Sequence, residues 1–135
     1  MADNCMCNDT GVLVFPCSGG SDVGELSDRA ARKMDKCGRV KMFCLAGIGA
    51  HIPGMIESAK AGNKLITIDG CPVSCSKKTL EHAGFKVIAY NLKDMGFEKS
   101  KTEVNEENIK KVALKIAGGK FEETISRSSD DCCGN

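Results

Sequence analysis

The chain has no Trp, one Tyr and only 4% aromatic residues over 135 positions. That shortage removes the flat side chains on which bases and sugar rings stack, so neither single-stranded nucleic acid nor carbohydrate is an expected partner. A large net charge is missing too: 19 Lys and Arg against 18 Asp and Glu leave a formal +1, which creates no field to gather a polyanion. No apolar run approaches the roughly 18–20 residues that span a bilayer, so no membrane is expected. The opening "MADNCMCNDTGVLVFPC" lacks a basic stretch, and its apolar run before Cys17 is confined to Val12–Phe15. No secretory or lipoprotein leader is therefore expected, and the expected compartment is the cytoplasm. What the chain does have is nine cysteines and 15 glycines. Cytoplasmic thiols are kept reduced, so nine cysteines point to metal binding or redox chemistry ahead of a disulfide framework.

A chain of 14.4 kDa fits one domain and can bury about two-thirds of its unfolded surface. The runs "GVLVFP" (11–16), "RVKMFCLA" (39–46), "KLITID" (64–69) and "FKVIAYNL" (85–92) read as strands, mostly too apolar to have one wet face. Between the first two, Val23, Leu26, Ala30, Met34 and Cys37 fall on one helical stripe closed by Gly38. A second helix is predicted from Pro53 to just before Gly62, and a third from Pro72 to Ala83 with Gly84 after it. The last follows Asn105 as N-cap, with Glu106 and Glu107 in its first turn, Ile109, Val112, Ala113 and Ile116 on one face, and Gly118 beyond. Strands alternating with helices predict a single three-layer α/β/α sandwich around a mainly parallel four-stranded sheet, Rossmann-like or flavodoxin-like. The domain is expected over 11–120. Mobile polar tails are expected at 1–10, carrying Cys5 and Cys7, and at 121–135, carrying Cys132 and Cys133.

Cys17, Cys44 and Cys71 are separated by 27 residues and again by 27, the length of one strand-helix unit. Each is expected at the C-terminal end of a strand, on the edge where open α/β sheets bind ligands. Cys75 follows Cys71 by four and is expected one turn into the third helix, on the same side. The free N–H groups of that helix start favour the thiolate that a metal requires. Zinc on four thiolates, Cys17, Cys44, Cys71 and Cys75, is thus the leading expectation. A closed four-thiolate shell suits a structural, storage or sensing role. An iron–sulfur cluster uses the same residue type and stands behind zinc. The alternative is a thiol redox enzyme or carrier using Cys71 and Cys75, although "CPVSC" is not the CxxC of redox motifs. Cys37, on the apolar helix stripe, reads as a small hydrophobe.

The loop "CSGGSDVGELS" (17–27) could cradle a small anion on its backbone N–H groups. It lacks the ending of a Walker A loop, and Val23 occupies the place of a phosphatase-loop Arg. "GIGAHIPG" (47–54) reads as a similar loop and does not match GxGxxG. His51 lies in it and is considered as a ligand substitute. His82 follows Cys75 by seven residues, about 10 Å along a helix axis, too far to share its metal. Asp69 could hydrogen-bond helix N–H groups or orient a ligand. No Ser-His-Asp or paired-carboxylate set is legible, so hydrolysis has no support.

Taken together, "IDGCPVSC", "FPCSGGSDVGELSDRAAR" and "CLAGIGAHIPG" resemble the DGC-domain family, described as zinc-binding and named for an Asp-Gly-Cys motif, here Asp69, Gly70 and Cys71. The resemblance covers roughly residues 11–118. It implies a small α/β domain with four chelating cysteines, matching Cys17, Cys44, Cys71 and Cys75. It implies nothing for the cysteines of the two tails.

Overall fold

The computed structural model describes residues 11–38 and 40–117. The tails, with Cys5, Cys7, Cys132 and Cys133, lie outside the described residues. The chain runs β1 (Val12–Pro16), α1 (Asp22–Lys36), β2 (Lys41–Met42), α2 (Leu45–Gly49), α3 (Pro53–Lys60), β3 (Lys64–Asp69), α4 (Cys75–His82) and β4 (Ile88–Asn91). A 3-10 turn at Leu92–Met95 and α5 (Glu106–Ala117) complete it. The strands form one sheet in the order β2-β1-β3-β4, every pair parallel. Of the two sheet types expected, 2-1-3-4 is the flavodoxin-like order.

Side chains alternate across β1 and β3, which is why helices cover both faces. Val12, Val14, Ile66 and Ile68 pack with α1 and α5 on one side. Leu13, Phe15 and Leu65 pack on the other with Ile48 of α2, Ala59 of α3 and Leu80 of α4. The predicted α1 stripe is buried at Val23, Leu26, Ala30 and Met34, and the predicted α5 face at Ile109, Val112, Ala113 and Ile116. Local chemistry sets the helix ends. The Ser21 hydroxyl accepts the Gly24 N–H at 3.1 Å to cap α1, Gly38 leaves that helix with φ +71, Pro53 opens α3, and Asn105 Oδ1 accepts the Asn108 N–H at 2.8 Å before α5. No helix among the described residues is long and apolar enough to cross a membrane.

Four boundaries differ from the sequence reading, the simplest being the fourth strand, expected over 85–92 and formed only by Ile88–Asn91. The second strand, expected over 39–46, is only Lys41–Met42, because β2 is an edge strand with β1 as its single neighbour. Past it "LAGIG" winds into α2, where Leu45 and Ala46 were expected to end the strand and Gly47–Gly49 to begin a loop. α4 begins at Cys75, not at Pro72: Pro72 and Val73 are taken up in a turn whose Ser74 N–H donates to Cys71 O at 3.2 Å.

Candidate thiol site

In a sheet ordered 2-1-3-4, the chain leaves β1 for β2 on one side and returns to β3 on the other. The carboxyl ends of β1 and β3 therefore diverge and open a crevice. Cys17 directly follows β1, and Cys71 follows β3 by two residues. The strand ends are knitted together, with the Cys17 N–H donating to Ile68 O at 2.7 Å and the Gly70 N–H donating to Cys17 Sγ at 3.1 Å. Gly70 is required by close approach: a Cβ there would lie 2.6 Å from the Val23 carbonyl carbon of α1. Gly24 is constrained in the same way, since its Cβ would meet the Gly19 carbonyl oxygen at 2.9 Å. These contacts draw the 17–21 loop, the start of α1 and the β3–α4 loop into one wall.

The β3–α4 loop is held from beneath. Asp69, buried at the end of β3, accepts the Ser76 N–H at 2.7 Å and the Lys77 N–H at 3.1 Å, satisfying donors that open the first turn of α4. The N-cap residue itself, Ser74, is left-handed (φ 56) and makes no side-chain cap. Asp69 takes over the role that an N-cap side chain usually has. Ser76, also buried, donates its hydroxyl to Phe15 O at 2.7 Å and fastens α4 to β1. From β4, Asn91 Nδ2 donates to Cys71 O at 2.8 Å and to Ser74 Oγ at 3.3 Å, bracing the turn between the two thiols.

A second support comes from far along the chain. The Asp22 carboxylate accepts the N–H groups of Ser100 (3.0 Å) and Thr102 (2.9 Å), clipping that segment against the start of α1. Lys99 and Ser100 thereby join the rim of a cavity of about 840 Å³ lined by Cys17, Gly19, Gly20, Gly70, Cys71 and Cys75. Cys17 and Cys71 are partly buried there, while Cys75 is exposed as the first residue of α4. Leu45 lines the side towards α2.

Three of the four cysteines singled out in the sequence thus share one cavity. Cys44 does not line it; it is exposed at the N-cap of α2, two residues beyond β2. It stands at the same carboxyl edge but two strands from β3, and strands are about 4.8 Å apart. Among the described residues, no three His, Cys, Asp or Glu side chains are grouped closely enough to hold a metal ion as they stand. The four thiols are free. Cys37 departs from its expected place as a small buried hydrophobe. The helix ends at Lys36, which leaves Cys37 partly exposed at the C-cap. His51 and His82 both lie outside the cavity lining.

Burial, first of all, pushes the Cys17 thiol up from its ordinary value. The Gly70 N–H and the Ser27 hydroxyl pull the other way, and the charges of Asp69 and Cys71 push up again. Burial likewise raises the Asp69 carboxyl, against its two helix N–H donors and the nearby Lys77 and Lys78. The Ser100 and Thr102 N–H groups hold Asp22 below the ordinary carboxylate value. Sequence reasoning missed Ser27, Asn91 and the Ser100–Thr102 clip. Ser27 lies on the buried side of α1 near its stripe, a weak signal; the clip joins residues 78 and 80 apart, for which no local pattern exists.

Comparison with known proteins places this architecture. The profile of the DGC domain matches residues 13–116, spanning all three cysteine-bearing strand ends and all of α4. The anaerobic and virulence modulator AnvM of Pseudomonas aeruginosa is 33% identical over 88 residues, covering 64% of this chain and 67% of that protein. No solved structure matches. With most of its length matched and the Asp69-Gly70-Cys71 motif set at the crevice between β1 and β3, the chain belongs to the DGC-domain family.

Proposed function

We propose that this protein is a cytoplasmic metal-binding protein that takes zinc on cysteine thiolates at the carboxyl edge of its parallel sheet, in a storage, sensing or structural role. The observation that carries this reading is the cavity itself: Cys17, Cys71 and Cys75 come from two neighbouring strand ends and a helix start, and all line it. Thiolates suit zinc, and the Cys17 sulfur already accepts a backbone N–H, a contact that favours its deprotonated form. Cys44 is the fourth candidate, exposed at the next strand end. Three thiolates leave a coordination position to solvent or a small ligand, and four close the shell.

The thiols surround the cavity without converging on a point, so loading must draw them together. Cys75, exposed at the first residue of α4, is the thiol with room to move. An ion gathered in this way exchanges more readily than one built into a closed core, which favours storage or sensing over a purely structural role. The raised Cys17 thiol adds proton release, and hence pH dependence, to binding. The Pseudomonas relative is named as an anaerobic modulator, and a thiol-bound ion whose occupancy follows redox conditions suits that description.

The test is metal analysis of the full chain purified without added metal, with thiol labelling before and after chelation. The expected result is near-stoichiometric zinc, with Cys17, Cys71 and Cys75 labelled only after chelation. Recovery below about 0.2 equivalents with all three thiols reacting at once would overturn the proposal. Iron with sulfide in place of zinc would keep the ligands and change the cofactor to a cluster.

One observation favours a second reading. Cys71 and Cys75 share their cavity with Gly19, Gly20 and the start of α1, where backbone N–H groups could receive a small anionic substrate. A thiol redox enzyme or carrier of this kind predicts a reactive thiolate, seen as rapid alkylation of Cys71 below about pH 7 without chelation. Slow alkylation that accelerates only after chelation excludes it.

A further inference from the structure

We propose that His51 and His82 form a second metal site, separate from the thiol cavity, for a borderline divalent transition ion such as Ni²⁺, Cu²⁺ or Zn²⁺. They are the two histidines of the chain, 31 positions apart. The fold nevertheless sets their rings edge to face, with centroids 5.6 Å apart and planes at 70°. His51 stands in the connection between α2 and α3, and His82 is the last residue of α4. Both are exposed, so removal of apolar area from water gives little reason for the pairing.

His51 also holds left-handed backbone, φ 54. A residue with a Cβ carries a cost in that region and glycine does not. Such strain recurs where a side chain has a task, and here the side chain so placed is the one that meets the other imidazole.

The geometry suits shared ligation. With metal–nitrogen bonds of about 2.1 Å, two imidazoles on one tetrahedral ion hold their ring centroids about 5 Å apart. The observed separation of 5.6 Å is close to this. Neutral imidazole is a good donor to these ions, and the terminal carbonyls of α4 beside His82 favour a nearby cation. Water fills the remaining positions, so the ion exchanges readily. Cys75 and His82 mark opposite ends of α4, about 10 Å apart along its axis, and one ion cannot serve both. Since α2 packs on α4, an ion between His51 and His82 clamps the two helices together.

Ni²⁺ titration of the full chain by calorimetry, followed by thermal unfolding at each Ni²⁺ concentration, tests the site in the wild type, His82→Ala and His51→Gly. All cysteines are retained in both variants, so metal held by thiols contributes equally to all three proteins. The expected result is about one Ni²⁺ equivalent fewer in each variant, together with loss of the part of the Ni²⁺-dependent rise in Tm that depends on the histidines. His51→Gly removes the backbone cost at φ 54 and is expected to fold at least as well as the wild type, which keeps the test decisive if His82→Ala does not fold. Equal stoichiometry and an equal Tm response in the wild type and His51→Gly would overturn the proposal.

Discussion

After β1 the chain passes Cys17 into a glycine-rich loop pressed beneath the start of α1 and bonded to the end of β3. After β2, one strand over, it passes Cys44 directly into the five-residue α2 and leaves the thiol exposed. The two cysteines follow the same 27-residue rhythm and reach the same edge of the sheet. They differ because β1 has a strand on each side and β2 has only one. A central strand end is surrounded by backbone, whose burial of Cys17 raises its thiol while one N–H donated to its sulfur pulls the other way. Among the described residues no strand lies beyond the edge strand end to do so. Position along a repeated unit selects the edge of the sheet, whereas strand order selects the environment.

The largest effect that sharpens this contrast is steric. Gly70→Ala, at the central crevice, pushes a Cβ into the backbone of Val23 and is expected to destabilise the protein by about 3 kcal/mol in urea unfolding. Gly49→Ala, in the edge helix, meets only the Thr79 methyl at 3.6 Å and is expected to be neutral or stabilising by up to about 1 kcal/mol. Equal losses at the two positions would erase the distinction.

Next comes metal affinity. Loss of a direct ligand should exceed the roughly 10–100-fold typical of losing a residue that braces one. Cys17→Ser or Cys71→Ser is therefore expected to weaken zinc binding by about a hundredfold or more in competition with a chromophoric chelator, and Cys44→Ser by about tenfold or less. A larger loss at Cys44 would show that the edge thiol is fully drawn in and that the central cavity is not the main holder.

Smaller still is the cap. Asp69→Ala strips the Ser76 and Lys77 N–H groups of their acceptor and is expected to cost about 2 kcal/mol, with faster hydrogen exchange in the first turn of α4. Exchange in α2 should be unchanged. The smallest effect is at the rim: Asp22→Asn should speed exchange of the Ser100 and Thr102 amides with little change in Tm. Because those N–H groups lower the folded pKa of Asp22 from its ordinary 3.8, the clip contributes fully above that value and weakens as pH falls through the lowered one. Unchanged exchange at Ser100 in Asp22→Asn would show that the segment is held by other contacts.

Much of this molecule was legible in advance because its signals are local. The apolar runs at 12–16 and 64–69 read as strands buried on both faces, and the stripes of α1 and α5, with Gly38 after the first and Asn105 before the second, read as amphipathic helices. The start of α4 was misplaced because Pro72 is equally suited to the first position of a helix and to the second position of a turn. Asp69, reaching forward to cap Ser76 and Lys77, decided for the turn. Its place in the chain suggested the role, and only the fold showed which N–H groups it would meet.

By itself the sequence determined the class of fold, the edge of the sheet at which Cys17, Cys44, Cys71 and Cys75 stand, and the glycine at the centre of the Asp-Gly-Cys motif, since periodicity, capping and turn chemistry act over a few residues. Only the tertiary structure decided that β1 lies between β2 and β3, that Cys17, Cys71 and Cys75 share a cavity while Cys44 stands outside it, that Asp22 clips a segment 78 residues away, and that two distant histidines meet. Those outcomes depend on how the strands are ordered and how the helices pack over them, and packing is decided by the whole chain at once.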